Sequence, residues 1–173
     1  MKKLLILGAG QYGMVAKEIA ESTGEYEKIS FLDDKNPIAI GKTREYAKFL
    51  DEYDSAIVAV GNCDFRLNLI KELNEAGYEV PALIHTRAYV APSAKVGMGS
   101  FVEPMAVVNT DVTVKNGCII SAGAIINHNS VIEDGCHINC GSVVKSGVLV
   151  AARTRSDYCD LFDNDYHHRP VAV

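Results

Sequence analysis

His128 and His137 are the two histidines of this 173-residue chain whose placement suits chemistry. A neutral imidazole near its reference pKa can take a proton from an amine or hydroxyl as that group attacks an acyl carbon. A second constellation opens the chain: Gly8-Ala9-Gly10-Gln11-Tyr12-Gly13, followed by the acids Asp33 and Asp34. Gly8 permits a tight turn, Gly10 lets a phosphate approach the backbone, and Gly13 allows close helix packing. The helix start behind them favours an anion, and Asp33 or Asp34 stands where an acid takes a ribose hydroxyl. NAD is one ligand of such a turn. A glycine turn needed only for packing is the plainer alternative.

The elements around that turn alternate. Residues 3–8 read as a buried strand, Met14 to Ser22 as a helix, and Lys28 to Leu32 as a second strand. Arg44 to Leu50 reads as helical, and Ala56 to Val60 as a third strand ending at Gly61-Asn62. Phe65 to Ala76 is a long helix stopped by Gly77. Alternation of this kind means a parallel sheet with crossover helices, a small Rossmann-like α/β unit over 1–80. It is too short for the full two-half dinucleotide fold. The opening MKKLLILGAGQYG has an apolar run that breaks into glycines with no cleavage site after it, so it reads as a strand and not as a signal peptide.

The histidines belong to a different pattern. From Ile84 an aliphatic residue returns every sixth position through Val90, Val96, Val102, Val108, Val114, Ile120, Ile126, Ile132, Ile138, Val144 and Val150. A small residue usually stands four places after each. Gly99, Gly117, Gly123, Gly135, Gly141 and Gly147 occupy the third place, with Asp111 and Asn129 in the same slot. These types tolerate positive φ, so each six contains a tight turn. Three sixes make one coil of a triangular parallel β-helix, and the repeat fills 81–156 with four coils. After Val150 the pattern is expected to end, leaving 157–173 as a tail whose Tyr158, Phe162 and Tyr166 cap the open coil. His167 and His168 in that tail read as solvated.

The residue before each inward aliphatic points outward and stacks on its equivalents. Phe101, Ile119 and His137 form one column, Val107, Ile125 and Val143 a second, and Thr113, Val131 and Leu149 a third. Aliphatic residues outside as well as inside predict self-association through these faces, most simply as a trimer. His128 falls in a turn, between Thr110 and Ser146 of the neighbouring coils. It is half a coil from His137, so the two point to different sides and share a site only across a subunit boundary.

Composition excludes several classes. A net charge of −5 without a basic run argues against nucleic-acid binding. No stretch is long and apolar enough to span a membrane. The five cysteines lack metal spacing; Cys118 and Cys136 share an inward slot one coil apart and read as reduced core residues of a cytoplasmic protein. The histidine spacing does not match the three-histidine zinc site of γ-class carbonic anhydrases, so no metal is expected.

With these residues in view, the chain resembles the NeuD/PglD-type sugar acetyltransferases, hexapeptide-repeat enzymes with a left-handed β-helix. The matching stretches are LLILGAGQYG at 4–13, FLDD at 31–34, VAVGN at 58–62 with Arg66, LIHTRAYVAP at 83–92, Val108-Asn109, and INHNSVIEDGCHINCGS at 126–142. The resemblance implies an acetyl-CoA-dependent acetyltransferase of a glycan pathway, acting on a nucleotide-activated amino sugar or sialic acid. It implies that Gly8, Gly10, Gly13, Asp33, Asp34, Gly61 and Asn62 meet the nucleotide-sugar. His128 matches the general base, and His137 the histidine that contacts the acetyl donor, with Ser146 and Gly147 beside it. Attack on the thioester is direct, and backbone N–H groups of the turns would hold the oxyanion. Two departures stand out. Asn129 follows the base where the family usually carries an acid, and the usual last coil with its Gly-Asn-Pro-Ala motif is absent. The competing readings are a trimeric nucleotide-sugar-binding module with weakened catalysis and, from the glycine turn alone, an NAD-dependent oxidoreductase.

Overall fold

The computed structural model describes residues 1–163. Strands β1 (Lys2–Leu7), β2 (Tyr26–Leu32) and β3 (Ser55–Val58) form a parallel sheet in the order β2-β1-β3. The lysine-led opening of the chain is therefore the central strand. Leu4 to Leu7 are fully buried because helices cover both sheet faces, which is why the run is continuously apolar and does not alternate. Helix α1 (Gln11–Thr23) sets Ala16, Ile19 and Ala20 against Leu4 and Ile6. Helix α2 (Cys63–Ala76) sets Leu69, Ile70 and Leu73 against Leu5 and Leu7. It ends at Gly77, with φ of 102°. The helical segment expected near Arg44–Leu50 is a 3-10 helix over Thr43–Phe49.

The rest of the described chain is a left-handed β-helix of two-residue strands. Its first face stacks Leu83–Ile84, Phe101–Val102, Ile119–Ile120 and His137–Ile138. The second stacks Tyr89–Val90, Val107–Val108, Ile125–Ile126, Val143–Val144 and Leu161–Phe162. The third stacks Lys95–Val96, Thr113–Val114, Val131–Ile132 and Leu149–Val150. The inward aliphatics form one core, with Val102, Val108, Ile120, Ile126, Ile132, Ile138 and Val144 at 0 % exposure.

From Gly99 onward the third place of each six has positive φ, including 56° at Asp111 and 62° at Asn129. Met105, Arg153 and Cys159 take the same conformation at 64°, 63° and 59°. Their types do not announce a turn; the ladder of the neighbouring coils imposes it, at about 1 kcal/mol each.

Two expectations are corrected. The repeat does not end at Val150. Ser156 takes the next inward slot, 4 % exposed, with its hydroxyl accepting from Asn139 N–H and meeting the Ser142 hydroxyl. Leu161–Phe162 then pairs with Val143–Val144, and Phe162 closes the core at 1 % exposure. A polar residue at one inward position interrupted the sequence pattern but not the coil. The capping role expected of Tyr166, and the solvated reading of His167 and His168, lie outside the described residues.

The second correction concerns the first face. Phe101 and Ile119 are 0 % and 2 % exposed because the α/β region of the same chain covers them, joining them to the core of Leu4, Ile6 and Phe31. Tyr12 of α1 meets Phe101 edge-on, with ring centroids 5.3 Å apart. At Phe101 and Ile119 the column is an intramolecular seam and is not free for a sister chain, whereas His137 at its far end is only half-buried. The outward residues Ile125 and Leu149 of the other faces are 39 % and 65 % exposed.

Candidate functional site

The glycine turn is shaped as its spacing implies. Gly8 has φ of 108°, and a methyl on Gly13 would lie 2.2 Å from the Gly8 carbonyl oxygen, so neither position accepts a side chain. Gly10 is different: it is exposed, and nothing lies within 4 Å of where its Cβ would be. The open side of the loop is at Gly10, at the N-terminus of α1, where the first backbone N–H groups of a helix have no partner within it.

Asp33 is held by the loop itself. It accepts from Ala9 N–H at 2.8 Å, and from Lys35 and Asn36 N–H at 2.8 Å each. These donors, Ala9 first, hold its carboxyl below the usual range. Asn36 returns a side-chain bond to the Ala9 carbonyl at 2.6 Å. Asp33 thus organises the turn, while exposed Asp34 accepts from Thr43 N–H at 3.2 Å. Asn62 caps α2 by accepting from Phe65 N–H at 2.9 Å.

One residue of this region had only its place in a matching stretch to recommend it. Arg66 on α2 is 1 % exposed and, among the described residues, forms no ion pair with a carboxylate. Its guanidinium donates to the carbonyls of Val60 and Gly61 at 2.8 and 3.2 Å, and to those of Gly117 and Gly135 at 2.9 and 3.2 Å. A buried cation held by four carbonyls ties the Gly61-Asn62 loop to two stacked turns in one corner of the β-helix. Leu67 and Ile70 pack on the same corner, so closely that a methyl on Gly99 would sit 2.5 Å from Ile70. The exposed pair Asp64 and Arg153, 2.5 Å apart, lies at the rim.

His137 continues the first-face column where it emerges from under α1, half-buried. Its Nε2 lies 3.1 Å from Ser121 Oγ. Ser121 also reaches Glu103, 8 % exposed, whose carboxylate accepts from Tyr12 Oη at 3.1 Å and Ala122 N–H at 3.0 Å. Burial, then the cations Arg155 and Arg66, push the His137 pKa down to about 4, so its ring is neutral at neutral pH. Burial first, and then Glu103, push the Tyr12 phenol well up.

His128 stands in the corner between the second and third faces, exposed. In a three-sided rod this corner is opposite the first face, which carries the α/β region, the glycine turn and His137. Within one chain, His128 is therefore kept apart from His137 and from the glycine-turn residues. The corner is rigid: Asn127 Oδ1 accepts His128 N–H at 2.9 Å, and Asn129 N–H donates to the Thr110 carbonyl at 3.0 Å. The positive φ of Asn129 gives this residue a conformational role in presenting the imidazole. Ser146 and Gly147 are exposed in the next coil of the same corner. The Gly147 N–H already donates to the His128 carbonyl at 3.0 Å, so the expectation that turn N–H groups receive an oxyanion is not met there.

All five cysteines are free. Cys118 and Cys136 are fully buried, and contact with Cys136 together with burial pushes the Cys118 thiol far up. Among the described residues no three His, Cys, Asp or Glu side chains are grouped to hold a metal, and no helix is long and apolar enough to cross a membrane.

Comparison with known proteins adds to this geometry. The PglD N-terminal domain family matches residues 3–73. The acetyltransferase domain of PglB from Neisseria gonorrhoeae FA1090, solved in complex with acetyl coenzyme A, is 30% identical. The match covers 92% of this chain and 84% of that one, with a TM-score of 0.80. PerB from Caulobacter crescentus, solved with CoA and GDP-perosamine, shares the fold at 20% identity and TM-score 0.80, over 95% of this chain and 90% of that one. WeeI from Acinetobacter baumannii AYE shares it at 14% identity and TM-score 0.69, over 93% and 88%. Fold, glycine turn, histidine pair and a 30% identical relative together place this chain in the NeuD/PglD-type family of hexapeptide-repeat sugar acetyltransferases, enzymes whose acyl donor is acetyl-CoA.

Proposed function

We propose that the chain acetylates a nucleotide-activated amino sugar, with the nucleotide at the Gly8–Gly13 turn and the reaction centre at a boundary between copies in a homotrimer. The observation that carries this reading is the opposed placement of His128 and the α/β region. One copy holds the substrate loop and His137 on its first face and the candidate base on its far corner. A ring of three copies brings each corner to the next copy's first face, and exposed Ile125 and Leu149 supply the apolar contact. The α1 N-terminus and Gly10 receive the phosphates, and Arg66 holds the Gly61-Asn62 loop over the β-helix. The five free thiols fit a reducing cytoplasm.

In the reaction the sugar amine attacks the thioester carbon of acetyl-CoA. His128 takes the N–H proton as the C–N bond forms, and the C–S bond breaks as the proton passes to the departing thiolate. Asn129 contributes by shape and carries no negative charge, so the imidazolium of the transition state gains nothing from it. The attacking amine is in its neutral form, and a hydroxyl in its place gives an ester by the same steps.

The test is thiol release from acetyl-CoA in the presence of GDP- and UDP-linked amino sugars, against the same nucleotides without the sugar. Turnover restricted to the amino sugars supports the reading. Binding of nucleotide-sugar with no thiol release at any acetyl-CoA concentration replaces it with the binding-module alternative.

A further inference from the structure

The chain Tyr12–Glu103–Ser121–His137 fixes a proton. Glu103 receives Tyr12 Oη on one oxygen and Ala122 N–H on the other, and the first of these also faces Ser121 Oγ at 3.5 Å. Ser121 has a single hydrogen to share between Glu103 and His137 Nε2, 3.1 Å away. A carboxylate only accepts, and a charged acceptor outcompetes a neutral ring nitrogen. If Ser121 gave its proton to His137, its oxygen lone pairs would face the buried anion unrelieved. The arrangement that satisfies every group has Ser121 donating to Glu103 and accepting from His137. We infer that Glu103 and Ser121 are positioning residues that hold His137 as the Nε2–H tautomer, leaving Nδ1 a lone pair that accepts an N–H of the acyl donor's pantetheine arm.

The ring is neutral, so it has only one N–H to place. With Nε2–H committed inward, His137 meets its ligand as an acceptor. Of the groups near a thioester in CoA, the pantetheine amide N–H is a donor and the thioester carbonyl is not. This second half rests on the acetyl-CoA reading above; the tautomer does not.

Glu103→Gln gives a directional test. Ala122 N–H keeps the amide oxygen on its side, which turns the new NH2 toward Tyr12 and Ser121. Ser121 must then accept from the amide and donate to Nε2, and the ring proton moves to Nδ1. The measurement is 15N NMR of histidine-labelled full-length protein, with His137 assigned by His137→Gln. Wild type is expected to show a pyrrole-type Nε2 and a pyridine-type Nδ1, exchanged in Glu103→Gln. A wild-type ring protonated on Nδ1, or an unchanged tautomer in Glu103→Gln, overturns the inference. Should Glu103→Gln fail to fold, Ser121→Ala is expected to leave a mixture of both tautomers, and a single Nε2–H tautomer there overturns it equally. Adding CoA is expected to move the Nδ1 resonance, and to bind Glu103→Gln about tenfold more weakly. CoA that binds without moving Nδ1 overturns the acceptor assignment alone. Absence of CoA binding to wild type removes the acetyl-CoA reading and leaves the tautomer standing.

Discussion

Arg66 Nε donates to the carbonyl of Gly117 across 2.9 Å, joining a helix of the α/β region to a corner of the β-helix. Three further carbonyls share the same guanidinium. Arg66→Met is expected to leave these oxygens dry and unpaired, at a cost of about 3–5 kcal/mol. Arg66→Lys keeps the charge but loses the planar fork, and is expected to recover less than half of this. Urea unfolding of both variants checks the prediction. A loss below about 1 kcal/mol in Arg66→Met would mean that the seam holds without it.

Gly10 and Gly13 should separate ligand from fold. Gly13→Ala puts a methyl 2.2 Å from the Gly8 carbonyl and is expected to destabilise by about 3 kcal/mol or prevent folding. Gly10→Ala meets no neighbour, and its φ of −74° suits any residue. It is expected to cost at most about 1 kcal/mol as a helix-cap change. Its effect should appear as weaker nucleotide-sugar binding, read by calorimetry. Undiminished binding in Gly10→Ala would move the phosphates away from this turn.

The β-helix was legible because its period is strict and its inward slot nearly always aliphatic. Legibility failed where residue type parted from backbone role. Ser156 sits inward among aliphatics, and Arg153 and Cys159 adopt turns usually left to glycine, so the coil past Val150 was invisible in the pattern. The outward column at Phe101 and Ile119 was visible, but an exposed aliphatic stripe does not say whether its cover is another chain or the same one. Glu103 carried no signal at all, since a lone acid in a turn reads as solvated. Its burial comes from Tyr12, ninety-one residues earlier in the chain.

His137 should make stability depend on pH. Its folded pKa of about 4 lies below the unfolded value of 6.5, so the unfolded chain takes up the proton first as pH falls. Stability from this group is complete above pH 6.5 and is lost down to about pH 4. The loss amounts to about 2 kcal/mol between pH 7 and pH 5. Urea midpoints at the two pH values, wild type against His137→Gln, isolate it. Equal losses in both would assign the acid sensitivity to other groups.

Ile125, exposed in the middle of the second face, is the place to test assembly. Ile125→Glu leaves the inward core untouched and sets a carboxylate in each expected contact between copies. Sedimentation is expected to show monomers that are folded and inactive. A folded monomer of full activity would show that the site is complete within one chain.

The central claim is that His128, brought from the far corner of a neighbouring copy, removes the proton from the attacking amine. The most direct measurement is kcat of His128→Ala for acetyl transfer to a nucleotide-amino-sugar, at saturating acetyl-CoA and with trimer confirmed. The account predicts a fall of about 10²–10⁴-fold with acetyl-CoA affinity within a factor of about three of wild type. An unchanged kcat would contradict it.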